Sequence, residues 1–210
     1  MHKGLFLDLD GTIANSISIM KTVYFNFLSE FNRIGSVEEF DKLTGPSLND
    51  IITELSKSHQ ILEEHSVLLN KYISILNEEY KMVLPNEGVY RLLTIAMERS
   101  WKCAIVSSAS EQTIKMWVKK NNLNSLINLI VGFESVKKGK PDPECYLKAL
   151  ELLKCNAKES IAIEDSRIGL LSALGAGLST YAYRFSASNE QLPKNIVKNL
   201  VKFQELFSVL

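Results

Sequence analysis

The sequence predicts an α/β fold: a Rossmann-like, doubly wound parallel sheet carrying an inserted all-helical cap. Three observations support this. Short apolar runs alternate with amphipathic helical stretches at both ends of the chain. Most of those runs are followed by Gly, Ser or acidic residues. One long segment, Ile17 to Tyr80, has helical periodicity almost throughout and no clear strand.

Taken in order, Leu5–Leu7 is the first predicted strand. The helical segment follows, with stretches at Ile17–Phe31, Ser36–Leu43, Leu48–Ser58 and Ile61–Tyr80. Gly35, the Gly45-Pro46 pair and Ser58-His59 punctuate it. Further strands are expected at Lys102–Val106, Ile127–Val131, Ser160–Ile163 and Leu178–Ala182. Helices lie between them at Gly88–Arg99, Glu111–Lys120, Pro143–Leu153 and Ser166–Gly175. Strand–helix alternation implies right-handed βαβ units, hence parallel strands. The expected division is a catalytic core from residues 1–14 and 86–210, and a cap from 15–85. Asn15-Ser16 and Leu84-Pro85-Asn86 are the expected hinges, since Pro85 favours an extended residue before it.

Composition narrows the function classes. With 210 residues there is ample chain for a sizeable core. Lys and Arg number 24 and Asp and Glu 24, so no basic excess points to nucleic acid. Cys103, Cys145 and Cys155 have no framework spacing and read as reduced thiols. No apolar stretch approaches a membrane span, and no signal peptide is read at the N-terminus. A cytoplasmic protein is expected, as monomer or homodimer.

The chemistry concentrates in Asp8-Leu9-Asp10-Gly11-Thr12, directly after the first apolar run. Two acids at a buried strand end require a cation or a reacting phosphate to balance them. A phosphate monoester resists hydrolysis because the nucleophile must approach an anion. A carboxylate nucleophile divides the reaction into two displacements through an aspartyl-phosphate. Such a site also needs a proton carrier, a hydroxyl and a cation for the phosphate, and further acid for a hard metal such as magnesium. Ser107 and Ser108 follow the second predicted strand, Lys140 lies in Lys-Lys-Gly-Lys-Pro-Asp-Pro, and Glu164-Asp165 follow Ile-Ala-Ile. All fall at carboxyl ends of predicted strands or in loops on that edge, where open α/β sheets bind ligands.

These segments resemble the four motifs of the haloacid dehalogenase superfamily of phosphohydrolases, over residues 1 to about 185. The helical segment resembles the C1-type cap of its phosphoglycolate phosphatase and β-phosphoglucomutase branch. The resemblance implies Asp8 as nucleophile and Asp10 as general acid/base. It implies Mg2+ held by Asp8, the backbone carbonyl of Asp10, and Asp165, with Glu164 acting directly or through water. Ser108 and Lys140 would bind the phosphoryl group, Ser107 being the second choice for the hydroxyl. Gly11 and Thr12 would shape the loop and offer backbone N–H groups to phosphate. The implied reaction is hydrolysis of a small phosphorylated metabolite.

Departures bear on specificity. Asn15 stands where many relatives have Asp, and Met20 and Leu48 stand where β-phosphoglucomutases place a His and an Arg. The last two argue against a sugar phosphomutase, the first alternative. A second alternative is a module that accepts phosphate at Asp8 without turning over. Ser47, Asn49 and Lys42 flank the Gly45-Pro46 turn and are candidate cap residues for substrate recognition. Plainer roles compete for several of these residues. Ser107 and Ser108 could cap the helix near Glu111, Glu164-Asp165 could answer a helix dipole, and Lys137 and Lys138 could simply solvate a loop.

Overall fold

The apolar runs have room for only one arrangement once their alternation is followed. Leu5, Leu7, Ile105, Ile161 and Ile163 bury on one side of a sheet, and Phe6, Ala104, Val106 and Ala162 on the other. Strands buried on both faces belong in a parallel sheet covered by helices on both sides. In the computed structural model, which describes residues 2–43, 46–185 and 191–210, this is the arrangement found. The strands are β1 (Gly4–Leu7), β2 (Lys102–Val106), β3 (Leu129–Val131), β4 (Ile161–Glu164), β5 (Ser179–Tyr183) and β6 (Asn199–Leu200). All pair in parallel, in the order β3-β2-β1-β4-β5-β6. The chain reverses direction across the sheet between β1 and β4, the topological switch point where such sheets bind ligands.

Helices α5 (Val89–Glu98) and α6 (Glu111–Lys120) cover the first face, contributing Leu92, Leu93, Ile114 and Trp117. Helices α7 (Glu144–Leu153) and α8 (Arg167–Gly175) cover the second, with Tyr146, Ala149, Leu150 and Ala173. Between β1 and β2 come α1 (Ile17–Ser29), α2 (Val37–Lys42), α3 (Leu48–Ser58) and α4 (His65–Tyr80). These four have a core of their own, including Val23, Phe27, Ile52, Leu55, Leu68 and Tyr72. Its two connections to the sheet run side by side. Asn15 N–H donates to Leu84 O at 2.9 Å and Asn86 N–H to Ile13 O at 2.8 Å. The two predicted hinges therefore meet as one short ladder, tied further by Asn86 Nδ2 donating to Thr12 O at 2.6 Å.

Several boundaries differ from the sequence reading. Helix α4 starts at His65 rather than Ile61, because Ile61 N–H donates to Ser56 O and closes the turn after α3. Strand β3 is shorter, since Asn128 spends its side-chain oxygen on Cys103 N–H at 2.8 Å. Strand β4 runs one residue past the predicted Ile163, ending on Glu164. Strand β6 was not predicted: two residues present no apolar run. It is followed by a 3₁₀ turn, Phe203–Leu206, whose Phe203 stacks on Tyr183 at 4.4 Å between ring centroids. Gly45, half of the predicted Gly45-Pro46 turn, lies outside the described residues. All three cysteines are free and buried. No helix among the described residues is long and apolar enough to cross a membrane.

Candidate active site

Strand β1 ends against β4, and Asp8 N–H donates to Ile163 O at 3.0 Å. The chain then turns tightly, with Ala14 N–H returning to Leu9 O at 2.8 Å. Leu9 is buried, so Asp8 and Asp10 both face the cavity beyond the sheet edge. Gly11 is required twice over. Its φ is +78°, and a Cβ there would stand 2.0 Å from Asp165 Oδ2. Its N–H is already given to Ala14 O and Ser16 Oγ. Thr12 is fully buried, and neither residue lines the cavity. Gly11 thus shapes the loop and makes room for Asp165, and its own N–H is spent within the turn.

Lys140 reaches the same point from the loop before α7. Its Nζ donates to Asp8 Oδ1 at 2.7 Å, Glu164 Oε1 at 2.6 Å and Val106 O at 2.9 Å. One ammonium therefore joins the ends of β1, β2 and β4, and its side chain is only 4% exposed. Glu144, the first residue of α7, holds the loop by accepting N–H bonds from Lys137 and Lys138, both at 2.9 Å. The Lys138 side chain is solvent-exposed, as the plainer reading had it. Beneath Lys140, Glu164 is fully buried and also accepts the Tyr146 hydroxyl. Gly169 of α8 leaves it space, since a Cβ there would lie 2.0 Å from Glu164 Oε2.

The electrostatics call for a cation. Asp8, Glu164 and Asp165 each place a carboxylate oxygen within 4.8 Å of the others. Lys140 is their only cationic hydrogen-bond partner among the described residues. Burial, opposed in part by Lys140, raises the Glu164 pKa to about 7. Burial and the Asp8 and Glu164 charges push Asp165 well above the carboxylate range. Burial alone would lower the Lys140 pKa, but Asp8 and Glu164 outweigh it and hold it above the usual lysine value. Glu164 Oε2 is buried with no hydrogen-bond partner. An all-oxygen set with surplus negative charge and an unsatisfied oxygen fits a hard divalent cation such as magnesium. The Asp10 carboxylate is not part of this cluster.

Asp10 has a different partner. The Tyr80 hydroxyl at the end of α4 donates to Asp10 Oδ1 at 2.6 Å. Burial, reinforced by the Asp8 charge and opposed by this bond, raises the Asp10 pKa to about 6. After β2, Ser107 is buried and its Oγ accepts Ala109 N–H at 3.1 Å, while Ser108 is half-buried on the cavity wall. The cap of α6 is Ser110, which accepts Thr113 N–H at 3.1 Å, so Ser107 and Ser108 do not serve as that helix's N-cap.

A profile described as haloacid dehalogenase-like hydrolase matches residues 5–183. The chain belongs to that family. Pyrophosphatase PpaX of Listeria welshimeri is 32% identical over 164 residues, covering 77% of this chain and 74% of that protein. CbbY from Rhodobacter sphaeroides, solved with phosphate, superposes with a TM-score of 0.86 at 20% identity over 98% of this chain and 96% of that one. β-Phosphoglucomutase from Clostridium difficile gives 0.82 at 17% identity, over 100% and 98%. This haloacid dehalogenase-like hydrolase is an enzyme, a phosphatase of its family.

Above the acids, the hydrolase holds a cavity of about 360 Å³ between the sheet edge and the inserted helices. Ser47 and Asn49 line it; Lys42 is exposed and does not. The Ser47 hydroxyl is engaged as the N-cap of α3, accepting Asp50 N–H at 3.3 Å and donating to Asp50 Oδ2 at 2.6 Å. Sequence reasoning missed Tyr80 and Tyr146. Their spacing resembles core packing, and burial raises both phenols, keeping them as donors. Only the acids they face distinguish them.

Proposed function

We propose that this hydrolase is a magnesium-dependent phosphatase that cleaves a small phosphorylated metabolite through an aspartyl-phosphate. The observation that carries this is the Asp8–Lys140 contact at 2.7 Å in the lining of the cavity, inside a cluster of carboxylates. In the proposed first step an Asp8 oxygen attacks phosphorus as the ester P–O bond breaks. Asp10 gives its proton to the departing oxygen, a role its raised pKa supports. In the second step Asp10 takes a proton from water, whose oxygen attacks phosphorus and releases Asp8 with inorganic phosphate. Lys140 orients Asp8, and Lys140 and Ser108 bind phosphoryl oxygens, with Ser107, which also lines the cavity, as the second choice for the hydroxyl. Asp8, Glu164 and Asp165, with the backbone carbonyl of Asp10, would hold the magnesium. That ion supplies charge neutralisation that lets one anion approach another. The inserted helices act as a cap that excludes bulk water while the ester is bound.

Asp8→Asn is expected to abolish magnesium-dependent release of p-nitrophenol from p-nitrophenyl phosphate while leaving the circular dichroism spectrum unchanged. Turnover that persists in this variant would sink the assignment.

A further inference from the structure

The wall of the cavity opposite the acids is largely apolar. Helix α4 presents Leu69, Ile73 and Leu76, at helical spacing of four and three residues, and all three line the cavity. Met20 from α1, Leu43 after α2 and Leu48 from α3 complete that side. Core packing is the ordinary explanation for such a stripe. It accounts for Leu68, which is fully buried among the cap helices. Leu69 and Leu76 also pack against that core, but together with Ile73 they are only half-buried and line the cavity as well.

Charge is distributed unevenly. Asp8, Asp10, Glu134 and Asp165 all line the cavity, whereas Lys140 is the sole cation among the described residues that line it. That ammonium already contacts Asp8 and Glu164. A second phosphate or a carboxylate on the substrate would lie against hydrocarbon and acids without a counter-charge. A sugar would set several hydroxyls against the same hydrocarbon, since the lining amides Asn49, Asn77 and Gln112 and the Ser and Thr hydroxyls beside the acids cover only part of the surface.

Resting on the phosphatase reading above, we propose that the substrate is the phosphate monoester of an uncharged, largely apolar aryl or alkyl alcohol. It carries no second anionic group. This separates the protein's substrate from pyrophosphate, the compound in the name of its Listeria relative. It also excludes bisphosphates and phosphorylated carboxylic acids. The volume of about 360 Å³ falls toward the small end of ligand sites, about 300–1,000 Å³, and suits one ring or a short chain.

The test compares para-carbamoylphenyl phosphate with para-carboxyphenyl phosphate, which share a shape and differ by one charge. Calorimetric binding to the Asp8→Asn protein with magnesium reads the preference without turnover. The carbamoyl ester is expected to bind at least about tenfold more tightly. Equal or reversed affinity overturns the inference. Turnover of the carbamoyl ester by the unsubstituted enzyme is read separately: its absence, with the binding preference intact, defeats the phosphatase reading and leaves the specificity of the cavity standing. Ile73→Lys and Met20→Lys place a cation on the apolar wall from two different helices. In whichever variant folds, the preference is expected to shrink toward equality, and an unchanged preference in both folded variants assigns it elsewhere and overturns the proposal.

Discussion

Tyr80 Oη lies 2.6 Å from Asp10 Oδ1, so the last residue of the inserted helices grips a carboxylate of the first loop, 70 positions away in the chain. The cap and the proposed proton carrier are thus mechanically joined. Tyr80→Phe removes the hydroxyl and little else, since phenylalanine fills the same space. A hydrogen bond to a charged group contributes about 1.5–3 kcal/mol, and losing it frees Asp10 to leave its productive rotamer. The expected result is a fall of roughly tenfold to a hundredfold in kcat, with KM changed less than about threefold. Steady-state kinetics on p-nitrophenyl phosphate check this. A loss confined to KM would mean that Tyr80 acts on binding instead.

Gly169 supplies a second test, in which two effects oppose each other. Replacing a helix glycine by alanine ordinarily stabilises by about 0.5–1 kcal/mol. At Gly169 the new Cβ would stand 2.0 Å from Glu164 Oε2. A flexible surface glutamate could swing aside, but Glu164 is fully buried and fixed by Lys140 and Tyr146. Displacing one partner of a buried ion pair costs about 3–5 kcal/mol, which outweighs the helix gain. Gly169→Ala should therefore melt at a lower temperature and lose most of its activity. A variant as stable and active as the parent would show that Glu164 has another place to go.

The parts of the fold and the site that the sequence made legible were those written in local chemistry. Alternating apolar runs define β1, β2 and β4 because each is buried on both faces. Asp8 and Asp10 were legible because two acids at a buried strand end have no packing explanation, whereas Lys140, in a loop before α7, was legible from the Gly-Lys-Pro-Asp-Pro segment around it. What escaped the reading depends on distant partners. Tyr80 closes a helix whose other tyrosine, Tyr72, is buried in the cap core, so its contact with Asp10 has no signature within α4. Gly11 is legible as a loop-shaping residue, but the reason for its missing Cβ, the approach of Asp165 from a loop more than a hundred residues away, leaves no local trace. Strand β6 is two residues long and is held by β5 and by the packing of Phe203, neither of which leaves periodicity at Asn199-Leu200.

The C-terminal 3₁₀ turn carries a pH-dependent contribution to stability. Glu205 Oε2 pairs with Lys198, and its Oε1 accepts N–H bonds from Val201 at 2.8 Å and Lys202 at 3.0 Å. The Lys198 bond, followed by the two backbone bonds, lowers its pKa to about 2. A carboxylate with a depressed folded pKa stabilises the fold above its unfolded value, and loses that contribution as pH falls through the folded one. Glu205→Gln should therefore melt below the parent at pH 7. The gap between the two should close as pH falls from about 4.5 toward about 2. Parallel thermal melts of both proteins across that range decide it; a gap that is constant with pH would mean the ion pair contributes nothing.

Asp165 tests the metal reading through a change of sign. Without a cation, burial and the Asp8 and Glu164 charges oppose its ionised form, and that repulsion costs the fold stability. Asp165→Asn removes the repulsion, so the metal-free variant should melt no lower than the metal-free parent. Added magnesium should reverse the ranking. A ligand at about a hundred times its Kd stabilises by about 2.7 kcal/mol. In a domain of this size that corresponds to a rise of about 5–10 °C for the parent. The variant, short of one hard oxygen ligand of full charge, should show a much smaller rise. A packing role for Asp165 predicts the reverse pattern: lower stability in both conditions and an undiminished magnesium response. The crossing of the two rankings is therefore specific to a carboxylate that waits for a cation.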